Sequence, residues 1–516
     1  MRKPNPTALN ISANLMSFIV TFAISFFTTP YITQRVGMEA YGLIGLANNF
    51  TSYITIITAA LNSMASRFII LEYHKNNTKE ANSYLNSALF ANAACAILTM
   101  LGSIFVVFNL DHIINVSPAL VTDAQITFAL IFINFSLSLV FSIFSIGYYA
   151  TNKLYVGAWR TVLSDMIRAL LLYIIFTQIG VKIQYTVIAT IIATLFSNIL
   201  AVRFAVKNIP TISFSFRYCK FKYFLKMVSA GVWNSISKLS NVLLNGLDLI
   251  ITNLFIGGPI LGCVSVAKTF SNIIITMIGS VSDVFLPKFL KAYAEDKQSL
   301  NEEFFKSTKI LGYFSCMFLS LFISFSESFY NIWLPGEDAV LLRNLSCISL
   351  LSIAISGPVY SMFSMYTVVN KVRPQALSSL VMSVLSTISV FLLLKFTNLG
   401  VYAIVGTSAI YGALKNLTYN MYCLNKYTKL NVKKCYLIIL KNLITMICTV
   451  LANIMIIKNI SILNFPTLGI AILITALIDS LIYFIMALGY NDKVRTIKLI
   501  SAKIKSIFSR NNRKES

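Results

Sequence analysis

The sequence predicts an all-α polytopic membrane protein of about fourteen transmembrane helices, built as two six-helix parallel repeats followed by a C-terminal helix pair. Three observations carry that prediction. Apolar runs of about 20 residues, the length a helix needs to cross hydrocarbon, recur along the whole chain. Lysine and arginine alternate between the connections in the way that fixes membrane orientation. One stretch of sequence also returns, without a gap, 220 positions later.

The apolar runs come first. The chain has 516 residues, of which 57% are hydrophobic and only 12% charged, too little polar surface for a soluble protein of this length. The runs are far longer than the ~10-residue alternating strands of an outer-membrane barrel. They fall at 8–32, 41–64, 83–108, 122–148, 158–180, 183–206, 228–256, 259–284, 309–333, 343–368, 376–397, 400–424, 436–458 and 466–490. MRKPNPTALN leads straight into the first of them with no small-residue cleavage site, so it reads as a spanning helix and not as a signal peptide.

The charge pattern orients these spans. With the N-terminus in the cytoplasm, the opposite side holds five basic residues, Arg35, Lys182, Arg343, Lys395 and Lys458. Lys268 and Lys415 fall inside spans, and the other 35 of the 42 lie in cytoplasmic loops, helix ends and tails. The net charge of +24 is therefore a topology signal and does not point to nucleic acid. Both termini are expected in the cytoplasm, as is the charged stretch 285–308. The basic tail 493–516, with spaced Ile and Phe, reads as an amphipathic helix on the anionic inner surface.

The repeat divides the chain. RVGMEAYGLIGLANNF at 35–50 overlies FIGGPILGCVSVAKTF at 255–270, so that Gly37 meets Gly257, Gly42 meets Gly262 and Ala47 meets Ala267. In the same register Asn14 meets Asn234, Ser17 meets Ser237 and Tyr73 meets Tyr293. The expected divisions are 1–210, 211–430, a helix pair at 431–492 and the tail. Parallel repeats of this kind are a transporter architecture, with the substrate path between the halves.

Polar residues mark that path. In the seventh span Asn234, Lys238, Asn241, Asn245, Asp248 and Thr252 follow steps of three and four and share one helix face. In the eighth, Ser265, Lys268, Asn272, Thr276, Gly279 and Asp283 do the same; the first-repeat counterparts are Asn14 with its Ser/Thr stripe and Asn48. Ser, Thr and Asn also serve as interhelical glue. Charges inside spans are different, because each costs roughly 2.5–3.5 kcal/mol on insertion scales and faces a wet cavity or a partner. Asp248 and Lys268 each lie about ten residues from the turn at Gly257, hence roughly 15 Å deep, and are expected to pair. Asn48 is the neutral counterpart of Lys268. Arg67 falls near the inner end of the second span, and Asp165 with Arg168 reads as an intrahelical pair. No nucleotide-binding or metalloprotease motif occurs, and the eight cysteines and two histidines suggest no metal site.

NISANLMSFIVTFAISFFTTPYI, VGMEAYGL, LNSMASRFI, NGLDLIITNLFIGG and DVFLPKFLKAYAE resemble the oligosaccharide flippases of the multidrug/oligosaccharidyl-lipid/polysaccharide exporter (MOP) superfamily, over nearly the whole chain. That resemblance implies a MATE-like pair of bundles in a V around a central cavity. It implies export of an undecaprenyl-pyrophosphate-linked oligosaccharide across the bacterial cytoplasmic membrane, with membrane lipids and other polysaccharide assembly proteins as partners. No cofactor is implied beyond a proton or sodium ion for coupling. Lys238 and Lys268, with Arg67, would meet the pyrophosphate. Asn14, Asn48, Asn234, Asn241, Asn245 and Asn272 would meet sugar hydroxyls, and Asp248 would serve as coupling residue. Alternatives are a cation-coupled drug exporter, a lipid-linked peptidoglycan precursor flippase and, from other classes, a polysaccharide polymerase or a channel.

Overall fold

In the computed structural model every long apolar run is helical. The structure describes residues 6–209, 213–369 and 371–487, together with 489, 493 and 494, so the expected tail helix lies almost wholly outside the described residues. Large apolar side chains stand outward on the helix surfaces, as on Thr78–Phe108, where Leu101, Phe105 and Phe108 are all exposed. A helix apolar on its outer face is stable only in hydrocarbon.

Among the described residues, eleven helices are long and apolar enough to cross a membrane. The bent pair Ala339–Ser349 and Leu351–Val359, with a 42° break, makes a twelfth. The expected count of fourteen is therefore only approximate, and the reason is local. The seventh span is cut into Phe221–Asn241, a π-helical turn Val242–Gly246 and Leu247–Phe255. The twelfth is cut into Val401–Lys415, a second π turn Asn416–Asn420 and Met421–Thr428. The first π turn contains Asn245, and the second is bounded by Asn416 and Asn420. Other helices outlast their apolar run. Met38–His74 has 37 residues, about 55 Å at 1.5 Å per residue, and carries Arg67 beyond the bilayer-length portion.

The chain forms two compact units. One comprises Met1–Thr269 with Val372–Gly412, the other Phe270–Lys371 with Ala413–Ser516. The first has a core of Leu61, Ala65, Tyr84, Ala88, Ile146 and Met227. Its helix Thr78–Phe108 also holds the connection between the repeats. Asn86 Nδ2 donates to the Ser213 carbonyl at 2.7 Å, Asn86 Oδ1 accepts from the Ser215 amide at 3.0 Å, and Ser87 Oγ accepts from the Lys220 amide at 3.1 Å. The second unit has a core of Phe289, Leu300, Phe304, Met362 and Leu424. Asp296 starts its long helix Lys297–Trp333 by accepting the Ser299 amide at 2.7 Å, which holds the Asp296 carboxyl below the usual range.

Candidate functional site

The site begins at the turns. Gly37 and Gly257 have φ of 91° and 119°, a region that only glycine enters without strain. Five residues beyond each, Gly42 and Gly262 touch each other. A Cβ at Gly42 would lie 2.7 Å from the Gly262 nitrogen, and one at Gly262 only 2.2 Å from the Met38 carbonyl oxygen. Three residues further on, a Cβ at Gly45 would meet Ser265. Contact between residues i and i+220 is what two copies related by an approximate two-fold axis produce. The glycines recur because backbones cross there in both copies.

Below this crossing the seventh span breaks. A π turn holds one residue more than an α turn and interrupts the helical hydrogen-bond ladder. Two carbonyls beside the break accept donors from neighbouring helices. Asn49 Nδ2 and Tyr53 OH of Met38–His74 donate to the Gly246 carbonyl at 2.9 and 3.3 Å. Lys268 Nζ donates to the Asn245 carbonyl at 2.5 Å. The same ammonium forms an ion pair with Asp248 Oδ2, and Ser408 Oγ, from Val401–Lys415, donates to that oxygen at 3.2 Å. Asp248 is 3% exposed. A cation, a carboxylate, a hydroxyl and a polarised carbonyl thus meet inside the membrane-spanning region. Such a set can hand an anion to the lysine and a cation to the carboxylate.

The other expected residues are dispersed. Asn245 and Asn241 stand exposed on the same helix, with Asn245 Nδ2 donating to the Asn241 carbonyl at 3.4 Å. Asn234 Nδ2 donates to Ser63 Oγ at 2.9 Å. Lys238 is half-buried, and among the described residues no carboxylate pairs with it. Arg67 and Asn272 are exposed, Asn272 on the part of its helix that belongs to the second unit. Asn14 is exposed and bonds the carbonyl of Asn10 at 2.9 Å.

Asn48 lines a separate cavity of about 210 Å³ with Ser25, Thr28, Asn134 and Arg168. Sequence reading placed Arg168 in an intrahelical pair, and it does approach Asp165 at 3.6 Å. Asp165 is also held by Thr21 Oγ1 at 2.6 Å, while Arg168 still faces the cavity. Asn134 is a member that the sequence hides inside an apolar run; its buried Oδ1 has no partner. Asn49, Tyr53 and Ser408 were missed as well. The first two lie off the polar face that contains Asn48, and Ser408 sits in an uncharged run.

The helical breaks, the crossing glycines and the buried ion pair belong to a multi-pass membrane protein, whose fold is similar to that of two solved structures. The structure aligns with an inward-facing multidrug resistance MATE family transporter of the MOP superfamily over 83% of this chain and 99% of the other, with a TM-score of 0.64 at 13% identity. It aligns with the lipid II flippase MurJ in an inward closed conformation over 92% and 99%, with a TM-score of 0.68 at 15% identity. The family described as polysaccharide biosynthesis protein matches residues 8–293, more than half of the chain. The chain belongs to that family. The uncharacterized membrane protein EpsK of Bacillus subtilis (strain 168) is 25% identical over 421 residues, covering 81% of this chain and 83% of its own.

Proposed function

We propose that the protein is a flippase that moves an undecaprenyl-pyrophosphate-linked oligosaccharide across the bacterial cytoplasmic membrane for surface polysaccharide biosynthesis. The observation that carries this reading is the buried Asp248–Lys268 pair at the break in the seventh span. A pyrophosphate and its sugars do not cross hydrocarbon unaided. Lys268 supplies a cation whose present partners, a carboxylate and a carbonyl, are exchangeable for phosphate oxygens. Exposed Asn241 and Asn245 beside it suit sugar hydroxyls. Family membership supports the pathway, and the shared fold with a lipid II flippase supports the class of substrate. A drug exporter would favour acidic cavity residues, and here the acid is neutralised by a lysine.

Transport runs by alternating access, with the halves 1–210 and 211–430 rocking about the repeat axis. When the anionic head group draws Lys268 away, Asp248 is left with Ser408 and takes up a proton or sodium ion. Asp248→Asn should therefore slow export more than it weakens substrate binding, because the phosphate's cation survives. Transport and binding of a lipid-linked oligosaccharide in proteoliposomes measure the two separately. Equal losses in both would remove the coupling role from Asp248.

The orientation is tested independently. Leu300, in the middle of the charged stretch, is buried, whereas Gln298 is exposed and open to labelling. With native cysteines replaced, Gln298→Cys should resist an impermeant thiol reagent on intact cells, and Asn398→Cys should react. Rapid labelling at 298 would invert the topology.

A further inference from the structure

Asp479 is a further intramembrane acid besides Asp165 and Asp248, and it takes no part in the site above. It lies on the last helix, Phe465–Met486, in the second unit, and is 2% exposed. Ser320 Oγ donates to its Oδ2 at 2.7 Å and Asn453 Nδ2 at 3.1 Å. Its other oxygen, Oδ1, is buried without a hydrogen-bond partner, and so is Asn453 Oδ1. Ionised, Asp479 is an acceptor only, so this pocket holds acceptors that lack a donor. Protonation at Oδ1 supplies one.

Among the described residues, the helices packed against Asp479 place no cation on it, and their lysines Lys306, Lys309 and Lys441 line the cavity described below. From Lys297–Trp333 come Ser320, the Cys316 thiol and Tyr313, whose hydroxyl bonds Ser480. Glu327 on that helix is ion-paired with Arg343. From Val432–Ile457 come Asn453 and Thr449; Lys458, just past its end, and Lys441 near its start are exposed. Tyr483, one turn along from Asp479, donates to the Lys309 carbonyl at 3.2 Å. Among the described residues Asp479 forms no ion pair.

A polar route leads to it. Asn442, Thr445, Thr449 and Asn453 follow steps of three, four and four on one face of their helix, and all are buried. Asn442 opens the row at a cavity of about 400 Å³ lined by Lys306, Lys309, Lys441 and Tyr483. Both polar atoms of the Asn442 side chain are buried and unpartnered. Gly312 keeps this mouth clear, since a Cβ there would come within 2.6 Å of the Tyr483 hydroxyl and 3.2 Å of Asn442 Oδ1.

We propose that Asp479 is a proton-binding site, loaded from the lysine-lined cavity through the Asn442–Asn453 row, and that its proton is taken up and released as the pH changes. Ionisable residues inside spans are typical of proton relays. The proton passes from solvent in the cavity to Asp479 Oδ1 and leaves by the same row, with no other bond changed. Proton uptake is measured without substrate, so the test is independent of the flippase reading.

Infrared difference spectra of the purified full-length protein in lipid nanodiscs, taken between neutral and mildly acidic pH, should show a carboxylic C=O band that Asp479→Asn removes. Asp479→Glu should keep a band at a shifted frequency. Gly312→Val should slow the band's appearance after a pH jump. Asp479→Asn should also flatten the pH dependence of Tm. An unchanged band in Asp479→Asn would overturn the proposal. So would stabilisation by sodium but not choline chloride that is lost in Asp479→Asn without any titrating band.

Discussion

Lys268→Ala should abolish export of the surface polysaccharide while the protein still reaches the membrane. The variant removes the one partner of opposite charge found on Asp248 among the described residues, and Asp248 is 3% exposed. Leaving a buried charge without its partner costs about 3–5 kcal/mol, so Tm should also fall. The double variant Lys268→Ala with Asp248→Asn separates the two effects. It restores Tm, because no lone charge remains, and it does not restore export, because the substrate's phosphate has lost its cation. Lys268→Arg keeps the charge and should retain more activity than the alanine variant. Surface polysaccharide measured against protein level decides the matter. Wild-type export by Lys268→Ala at normal expression would remove Lys268 from the mechanism.

Gly262→Leu should be nearly as damaging, for a different reason. The added Cβ would lie 2.2 Å from the Met38 carbonyl oxygen, and that backbone has no room to yield without parting the helices Met38–His74 and Gly258–Asp283. Overpacking of this kind costs about 1–3 kcal/mol, and here it falls on the closed crossing alone. Spin labels at the exposed positions 34 and 254, just before the turns at Gly37 and Gly257, should show more than one distance in the otherwise wild-type protein, shifted by substrate. In Gly262→Leu the longer distance should dominate and export should fail. Gly469→Ala, where no atom lies within 4 Å of the new Cβ, is the control and should behave as wild type. A single distance in the wild-type protein, unmoved by substrate or by an ion gradient, would argue for a static conduit.

Much of this was legible before folding. Transfer of each apolar run into hydrocarbon depends on the run's own composition, so hydropathy exposes membrane class and helical type span by span. The repeat was legible because the turn at Gly37 and Gly257 and the crossing at Gly42 and Gly262 each demand glycine, and that demand is written twice. Helical rise alone put Asp248 and Lys268 at equal depth.

What the sequence by itself determined is therefore local or periodic: an all-helical membrane chain, its approximate spans, its duplicated halves and the face that carries its polar residues. Only the tertiary structure decided where the seventh and twelfth spans break, since a π turn adds a single residue to a helix and leaves hydropathy almost unchanged. Only packing brought Ser408 to Asp248 across 160 positions, turned Asn49 and Tyr53 onto the Gly246 carbonyl, and set Asn134 and Arg168 around a cavity with Asn48. Asp479 is the same case: in sequence it is one acid in an apolar run, and in the fold Asn453 and Ser320, 26 and 159 positions away, donate to its Oδ2 and leave its Oδ1 unpaired. Such meetings depend on the rotation and crossing angle of helices distant in the chain, and each helix's own residues set its stability in lipid without setting which neighbour its polar face will meet.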